Sequence, residues 1–304
     1  MKKAIITGAT GMIGSELARQ LARDGIRVYA VVRPNSSKID NLIKSDLVEV
    51  IECDLHQLSK LSEMIESADI FYHFAWDGCY GDSRNDLLLQ EQNVKGALEA
   101  VKAAKQLGCK KFVGAGSQAE FGSVEGKLSD TLPKNPVTGY GIAKHSAQLM
   151  TKALATQLGM EYCWGRILSC YGPGDNDYTM VMSAVVAMLK NELLAFTPGE
   201  QIWDYIYVED CAKAFYLIGK EGVDKKAYTI GSGNTQMLKE YIYQIRDAID
   251  SSIQPGIGER DYYPNQVMHL EADISELKKD TGFTPSVKFE EGIKHTVEWR
   301  KARL

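Results

Sequence analysis

Residues 3–14 read Lys3-Ala4-Ile5-Ile6-Thr7-Gly8-Ala9-Thr10-Gly11-Met12-Ile13-Gly14. The first five form a short Ile-rich run bounded by Lys and Thr, which predicts a strand. Ile13, Leu17 and Leu21 then recur at helical spacing and predict a helix. Gly8, Gly11 and Gly14 lie in the turn between them at GxxGxxG spacing. Glycine there permits a tight turn, lets the backbone approach a pyrophosphate, and lets the helix pack close to the strand. The helix N-terminus points free amides and its positive dipole end at the phosphates. The stretch predicts a dinucleotide site, with Thr7, Gly8, Thr10, Gly11, Met12, Ile13 and Gly14 around the cofactor.

Outward from this turn, short β-rich runs alternate with helical runs. Residues 27–32, 48–53, 69–75, 111–115 and 162–168 read as further strands. Long helical stretches run over 84–107, closed by Gly108, and over 140–158, closed by Gly159. Such alternation predicts an α/β fold with a parallel sheet covered on both faces. The pattern changes after Tyr171-Gly172-Pro173-Gly174. A helix follows near 181–193, then a strand and helix over 205–220, a strand over 227–230, and helical segments around 236–249, 275–280 and 290–301. The second part is expected to interleave with the first.

The 304 residues carry a net charge of −5, with 44% hydrophobic and 25% charged residues. This is the composition of a soluble globular protein. It offers no general field for nucleic acid or an anionic membrane. The longest apolar runs fall short of the roughly 20 residues of a membrane span, and residues 1–14 do not read as a signal peptide. The six cysteines make no CxxC pair, so reduced thiols in a cytoplasmic protein are expected. The five histidines form no HxxxH or HxH pattern, and no metal site is expected.

Two further regions carry chemistry. The second strand ends Val31-Val32-Arg33, followed by Pro34-Asn35-Ser36-Ser37-Lys38. NAD sites usually place Asp or Glu at this strand end. Arg33, Ser36 and Lys38 instead suit a 2′-phosphate, so NADP(H) is preferred, with NAD(H) possible. Asp54, at the end of the third strand, could accept from an adenine amino group or simply cap a helix. Tyr140 and Lys144 stand four residues apart on one helix face. A neighbouring ammonium favours the phenolate, so Tyr140 can pass a proton to or from a carbonyl or alcohol oxygen. Ser117 lies just after the fifth strand, at the rim where parallel sheets bind ligands, and could hold the reacting oxygen.

TGATGMIG, Ser117 and Tyr140-Gly141-Ile142-Ala143-Lys144 together resemble the extended short-chain dehydrogenase/reductase family, whose members include nucleotide-sugar epimerases, dehydratases and reductases. Phe71 to Ala75, Asn93 with Gly96, Arg166 to Pro173, Asp204 to Asp210, and the segments from Ala272 to Ile293 are similar to its further motifs. The resemblance implies a Rossmann doubly wound sheet with a smaller, interleaved C-terminal substrate domain. It implies a dinucleotide-binding unit over 1–170 plus about 201–230, and a substrate unit over about 171–200 plus 231–304. It adds Leu55, Phe74, Ala75 and Asn93 to the cofactor surroundings. It also implies a nucleotide-sugar substrate and a homodimer formed through the helices over 84–107 and 140–158.

Within that family, 4,6-dehydratases follow the Ser/Thr with Asp-Glu, where this chain has Gln118 and Ala119; Glu120 stands one residue further on. The Cys and His of the fucose-synthase-type epimerases are absent from the corresponding positions. NADPH-dependent reduction of a nucleoside-diphosphate 4-keto-6-deoxyhexose is the preferred expectation, on Arg33 and on the likeness of 116–122 and 265–268 to such reductases. The alternative is an NAD-dependent nucleotide-sugar 4-epimerase. A reductase of a non-nucleotide ketone and a non-catalytic NADP sensor are further alternatives. The family often has Asn at Ser169, Arg at Trp203 and Arg at Tyr263, so Arg260 or Lys190 is considered as a replacement cation. Trp76, Tyr80, Arg84, Ser117, Gln118, Ser169, Thr179, Met180 and Trp203 are the expected substrate contacts.

Overall fold

A computed structural model describes residues 1–304 except Glu125, Leu193 and Asn265. Leu193, where the fifth helix was expected to end, and Asn265, in the reductase-like segment, therefore lie outside the described residues. The first half runs β1 (Lys3–Thr7), α1 (Met12–Arg23), β2 (Arg27–Val32), β3 (Val48–Glu52), α2 (Leu61–Met64), β4 (Ile70–His73), α3 (Leu87–Gln106) and β5 (Lys111–Ser117). Next come β6 (Gly126–Leu128), α4 (Gly139–Gln157), β7 (Glu161–Ile167), β8 (Ser169–Tyr171), α5 (Met180–Leu189) and β9 (Ala195–Phe196). The chain continues through β10 (Ile202–Tyr207), α6 (Val208–Glu221), β11 (Lys226–Ile230), β12 (Thr235–Met237) and α7 (Leu238–Asp247). It ends with β13 (Gly256–Ile257), β14 (Leu270–Ala272), α8 (Ser275–Thr281) and α9 (Phe289–Lys301).

Seven strands form one sheet in the order β3-β2-β1-β4-β5-β7-β11, every pair parallel. This is the Rossmann-like α/β architecture. Strand order reverses between β1 and β4, which opens a crevice at the strands' C-terminal ends. The flanking helices bury their apolar faces against the two sides of the sheet. On one side α1 and α6 set Leu17, Leu21, Phe215 and Ile218 against Ile6, Val28 and Tyr72. On the other, α3 and α4 set Ala97, Val101 and Ala147 against Phe71, Phe112, Tyr162 and Trp164. Those four aromatic rings stack in a row from β4 through β5 to β7 and on along β7, with successive centroids 5.7 to 6.3 Å apart.

A separate apolar cluster joins α5, α7 and α9 to β8 and β10 through Met182, Val185, Tyr207, Tyr241 and Phe289. There β10 pairs in parallel with β8 and antiparallel with β12. The two-stranded pairs β6–β14 and β9–β13 tie distant segments together.

Some boundaries differ from expectation for local reasons. α3 begins at Leu87, because the Asp86 carboxylate caps it by accepting the Leu89 N–H at 3.2 Å. Residues 81–85 form a 3-10 turn instead. α5 ends at Leu189, and Asn191 takes a left-handed backbone at φ 56°. α7 begins at Leu238, because Thr235–Met237 pair with β10 as a strand. Among the described residues, no helix is long and apolar enough to cross a membrane.

Candidate active site

The turn after β1 is built to admit a ligand. Gly8 has φ +67°, and a Cβ there would meet Ala75 N at 2.7 Å. Gly14 packs so closely that its Cβ would lie 2.4 Å from Gly8 O. Gly11 caps α1 without a side-chain hydrogen bond, so the first amides of the helix stay available. Above the turn lies a cavity of about 270 Å³. Thr7, Gly8, Thr10, Gly11 and Met12 form its floor. Arg33, Lys38, Leu55 and Leu58 line one end, and Phe74, Ala75, Trp76 and Tyr80 the other. Gly174, Asp175 and Asn176 close it from the loop after β8. Burial pushes the Asp175 carboxyl up to about 6, although Thr179 Oγ1 and the Asn176 N–H donate to it. The glycine turn, the uncapped helix start and the cavity together fit a dinucleotide.

Not every expected cofactor residue reaches the wall. Ile13 and Gly14 continue into α1 instead of lining the cavity. The Ser36 hydroxyl accepts from the Lys38 N–H at 3.4 Å within its own turn. The Asp54 carboxylate accepts from the His56 N–H at 2.8 Å, the capping role. Asn93 is buried and grips Asp77, accepting from its N–H at 2.9 Å and donating to its carbonyl at 2.8 Å. Asn93 thus shapes the loop after β4 without lining the cavity. The same loop brings a carboxylate to the cavity: Asp77 Oδ1 lies 3.4 Å from Arg33 Nη1. No residue next to Arg33 in sequence signals that pairing.

The three expected catalytic residues converge at the C-terminal end of β5. Ser117 ends the strand, and its side chain interacts with the Tyr140 phenol. Tyr140 and Lys144 project from the start of α4, which Thr138 caps by accepting the Gly141 N–H at 3.1 Å. Lys144 Nζ donates to Ala115 O at 2.8 Å and sits 3.7 Å from the centroid of the Trp76 ring. Burial pulls the Lys144 ammonium down to about 8, while Cys79 and Glu120 oppose the shift. Burial pushes the Tyr140 phenol up, and Ser117 and the Arg84 charge pull it back. The sequence pointed to Lys144 as the group that lowers Tyr140. The structure instead puts Lys144 Nζ 5.8 Å from the Tyr140 ring centroid and the Arg84 guanidinium carbon at 4.6 Å.

The expected substrate contacts divide into several sets. Arg84 lies over Tyr140 and donates to Cys79 O. The Trp76 ring faces Lys144, and its Nε1 donates to Gln90 at 2.8 Å. Tyr80 lines the cofactor cavity. Gln118 follows Ser117, and its buried Oε1 has no partner among the described residues. A second groove, of about 400 Å³, is walled by Tyr178, Met180, Trp203, Tyr205, Arg260 and Tyr263. Ser169 stands behind this groove, accepting from Trp203 Nε1 at 2.8 Å, and Thr179 caps α5 beside it. Lys190 is not among the residues that line it. Gln201, 2% exposed, belongs to the groove with an unpartnered Oε1, which the sequence did not signal. Glu120 is turned away from both cavities into the core.

The chain matches the model of the NAD dependent epimerase/dehydratase family over residues 4–231. It is 25% identical over 316 residues to a UDP-glucose 4-epimerase of Mycolicibacterium smegmatis, with 98% of each chain covered. Its structure resembles a UDP-N-acetylglucosamine 4-epimerase from Methanobrevibacter ruminantium M1, solved with UDP-N-acetylmuramic acid. The TM-score is 0.91 and the identity 26%, over 100% of this chain and 99% of that one. A UDP-glucuronic acid 4-epimerase from Bacillus cereus, solved with NAD, shares the fold at TM-score 0.85 and 21% identity, with 99% of each chain covered. With its glycine turn and its Ser117, Tyr140 and Lys144 cluster, the chain belongs to the NAD dependent epimerase/dehydratase family and is an enzyme of the short-chain dehydrogenase/reductase type.

Proposed function

We propose that the enzyme is a nicotinamide-dependent nucleotide-sugar 4-epimerase. The carrying observation is a site equipped for proton transfer at one oxygen. Ser117, Tyr140 and Lys144 stand together, while Gln118 and Ala119 occupy the positions where dehydratases hold a carboxylate pair. Glu120 is fully buried and points elsewhere. Epimerisation needs only this set, because oxidation and reduction occur at the same carbon. The relatives named above add weight to it, and the expected reductase becomes the second reading.

In this reading residues 1–170 with 201–230 hold the cofactor, and 171–200 with 231–304 hold the sugar nucleotide. Thr7 to Met12 cradle the pyrophosphate, and Lys144 holds the nicotinamide ribose. The cofactor, when bound, supplies reversible hydride acceptance. Tyr140 removes the proton from the sugar's C4 hydroxyl and later returns it. Ser117 hydrogen-bonds the same oxygen and keeps Tyr140 aimed at it. The Arg84 guanidinium, whose carbon lies 4.6 Å from the Tyr140 ring centroid, favours the phenolate together with Ser117. The second groove anchors the nucleotide through its aromatic walls and the Arg260 guanidinium, leaving the keto sugar free to present its other face.

Arg33 and Lys38 at the cavity end favour the second reading, an NADPH-dependent 4-keto reductase. One experiment separates the two. The purified protein is denatured and any released dinucleotide identified, and the native protein is incubated with UDP-glucose and followed by NMR. Released NAD and a mixture of C4 epimers support the epimerase. No C4 exchange, with NADPH oxidised by a nucleoside-diphosphate 4-keto-6-deoxyhexose, would replace it with the reductase.

A further inference from the structure

Glu120 has no part in the chemistry above, yet it is 0% exposed directly behind the site. A carboxylate held out of water is costly unless several donors satisfy it. Three N–H groups do so. Oε1 accepts from the Ser117 backbone N–H at 2.9 Å and from Trp164 Nε1 at 2.9 Å. Oε2 accepts from Arg166 Nε at 2.7 Å. Arg166 is itself buried, and its Nη1 pairs with Asp130, a partly exposed residue. A chain of opposite charges therefore runs from the surface at Asp130, through Arg166 on β7 and Glu120, to the backbone of Ser117.

This chain fixes a direction as well as a position. Gln118–Glu120 form a single 3-10 turn capped by Ser117. The Ser117 Oγ accepts from the Ala119 N–H at 3.2 Å. One lone pair is thereby tied down, and the hydroxyl proton remains free to be donated. In a capping box the acidic partner reaches back to the N-cap N–H. Here it is bolted to two side chains of β7, so the turn cannot rock without breaking a buried ion pair.

We propose that Glu120, anchored by Arg166, is a positioning residue that holds the Ser117 hydroxyl on the line between Tyr140 and the reacting oxygen. The proposal rests on the reading that Tyr140 and Ser117 handle the substrate's oxygen. Glu120 touches neither substrate nor cofactor, and it acts through Ser117.

The test uses the full-length protein, with C4 epimerisation of UDP-glucose as the assay. Glu120→Asp keeps the charge opposite Arg166 but withdraws the carboxylate from the Ser117 N–H. Its kcat should fall about tenfold with KM within about twofold. Glu120→Gln keeps an acceptor for Ser117 and should recover part of that loss. In a Ser117→Ala background, Glu120→Asp should change kcat by less than about twofold, because residues acting as a unit are not additive. A folded Glu120→Asp protein with unchanged kcat, or with the same loss when Ser117 is absent, would overturn the proposal. So would failure of both Glu120 variants to fold, which would assign Glu120 to the core alone. Tyr140→Phe is the control for the underlying reading: if it keeps full turnover, the assignment of the reaction to Tyr140 has failed, whatever Glu120 does.

Discussion

Lys144 keeps a positive charge in a place where water does not solvate it. Burial lowers its hold on the proton to about 8, Cys79 and Glu120 oppose that loss, and the ammonium rests against the Ala115 carbonyl and the face of Trp76. An indole face near an ammonium favours the charged form by roughly 0.5–2 kcal/mol. The sign follows directly. Below pH 8 Lys144 is protonated and keeps the charge with which it would hold the nicotinamide ribose, so turnover should fall as pH rises through about 8. Trp76→Leu removes the ring while keeping the site apolar. Its alkaline limb should move to lower pH by about half to one unit, read from a kcat–pH profile. An unmoved limb would show that the ring packs against Lys144 without holding its charge. Trp76 stands beyond the strand-end motif Phe71 to Ala75, so sequence placed it near the site but not against the lysine. The contact joins the loop after β4 to α4, and it is made only by folding.

At the scale of elements, legibility followed length and sequence separation. β1, β2, β5, β7 and their helices repeat a period long enough to read, and the ends of these strands carry Thr7, Ser117 and the glycine turn. β6, β8, β9, β12, β13 and β14 have only two or three residues each. Such segments show no period, and their partners are far away, as when Gly126 pairs with Leu270. The same separation hid Asp77 beside Arg33 and Glu120 beside Arg166. Asp204 on β10 shows how these short elements are fastened. Its buried carboxylate accepts from the Ser232 N–H and hydroxyl, the Gly233 N–H and the Ala272 N–H, at 2.6 to 3.0 Å. One side chain thereby joins β10 to the turn after β11 and to β14. Asp204→Asn places an amide donor against those donors. Urea unfolding should show a loss of about 3 kcal/mol, from donors left unsatisfied in the interior. A loss below about 1 kcal/mol would mean that the turn finds other acceptors.

At the scale of the whole molecule, the site is built next to an apolar surface that the chain itself does not cover. Leu88, 73% exposed, and Leu87 open α3, while Ile142, Leu149 and Met150 face outward on α4. α3 and α4 pack side by side over the sheet, so these residues share one side of the molecule. Exposed apolar side chains on one side of a molecule are where association is expected. A second copy of the chain, related by a two-fold axis, would present the same surface and cover it. Ile142 lies between Tyr140 and Lys144 in sequence but on the outward face of the same turn, so the contact would brace the catalytic helix from behind. The native protein should therefore behave in light scattering as twice its 33.7 kDa chain mass. Leu149→Lys combined with Met150→Lys places two charges on this surface. The variant should run as a folded monomer with an unchanged circular dichroism spectrum and reduced turnover, because α4 loses its support. A wild-type protein that is monomeric at all concentrations would reject this arrangement and leave α4 braced by α3 and the sheet alone.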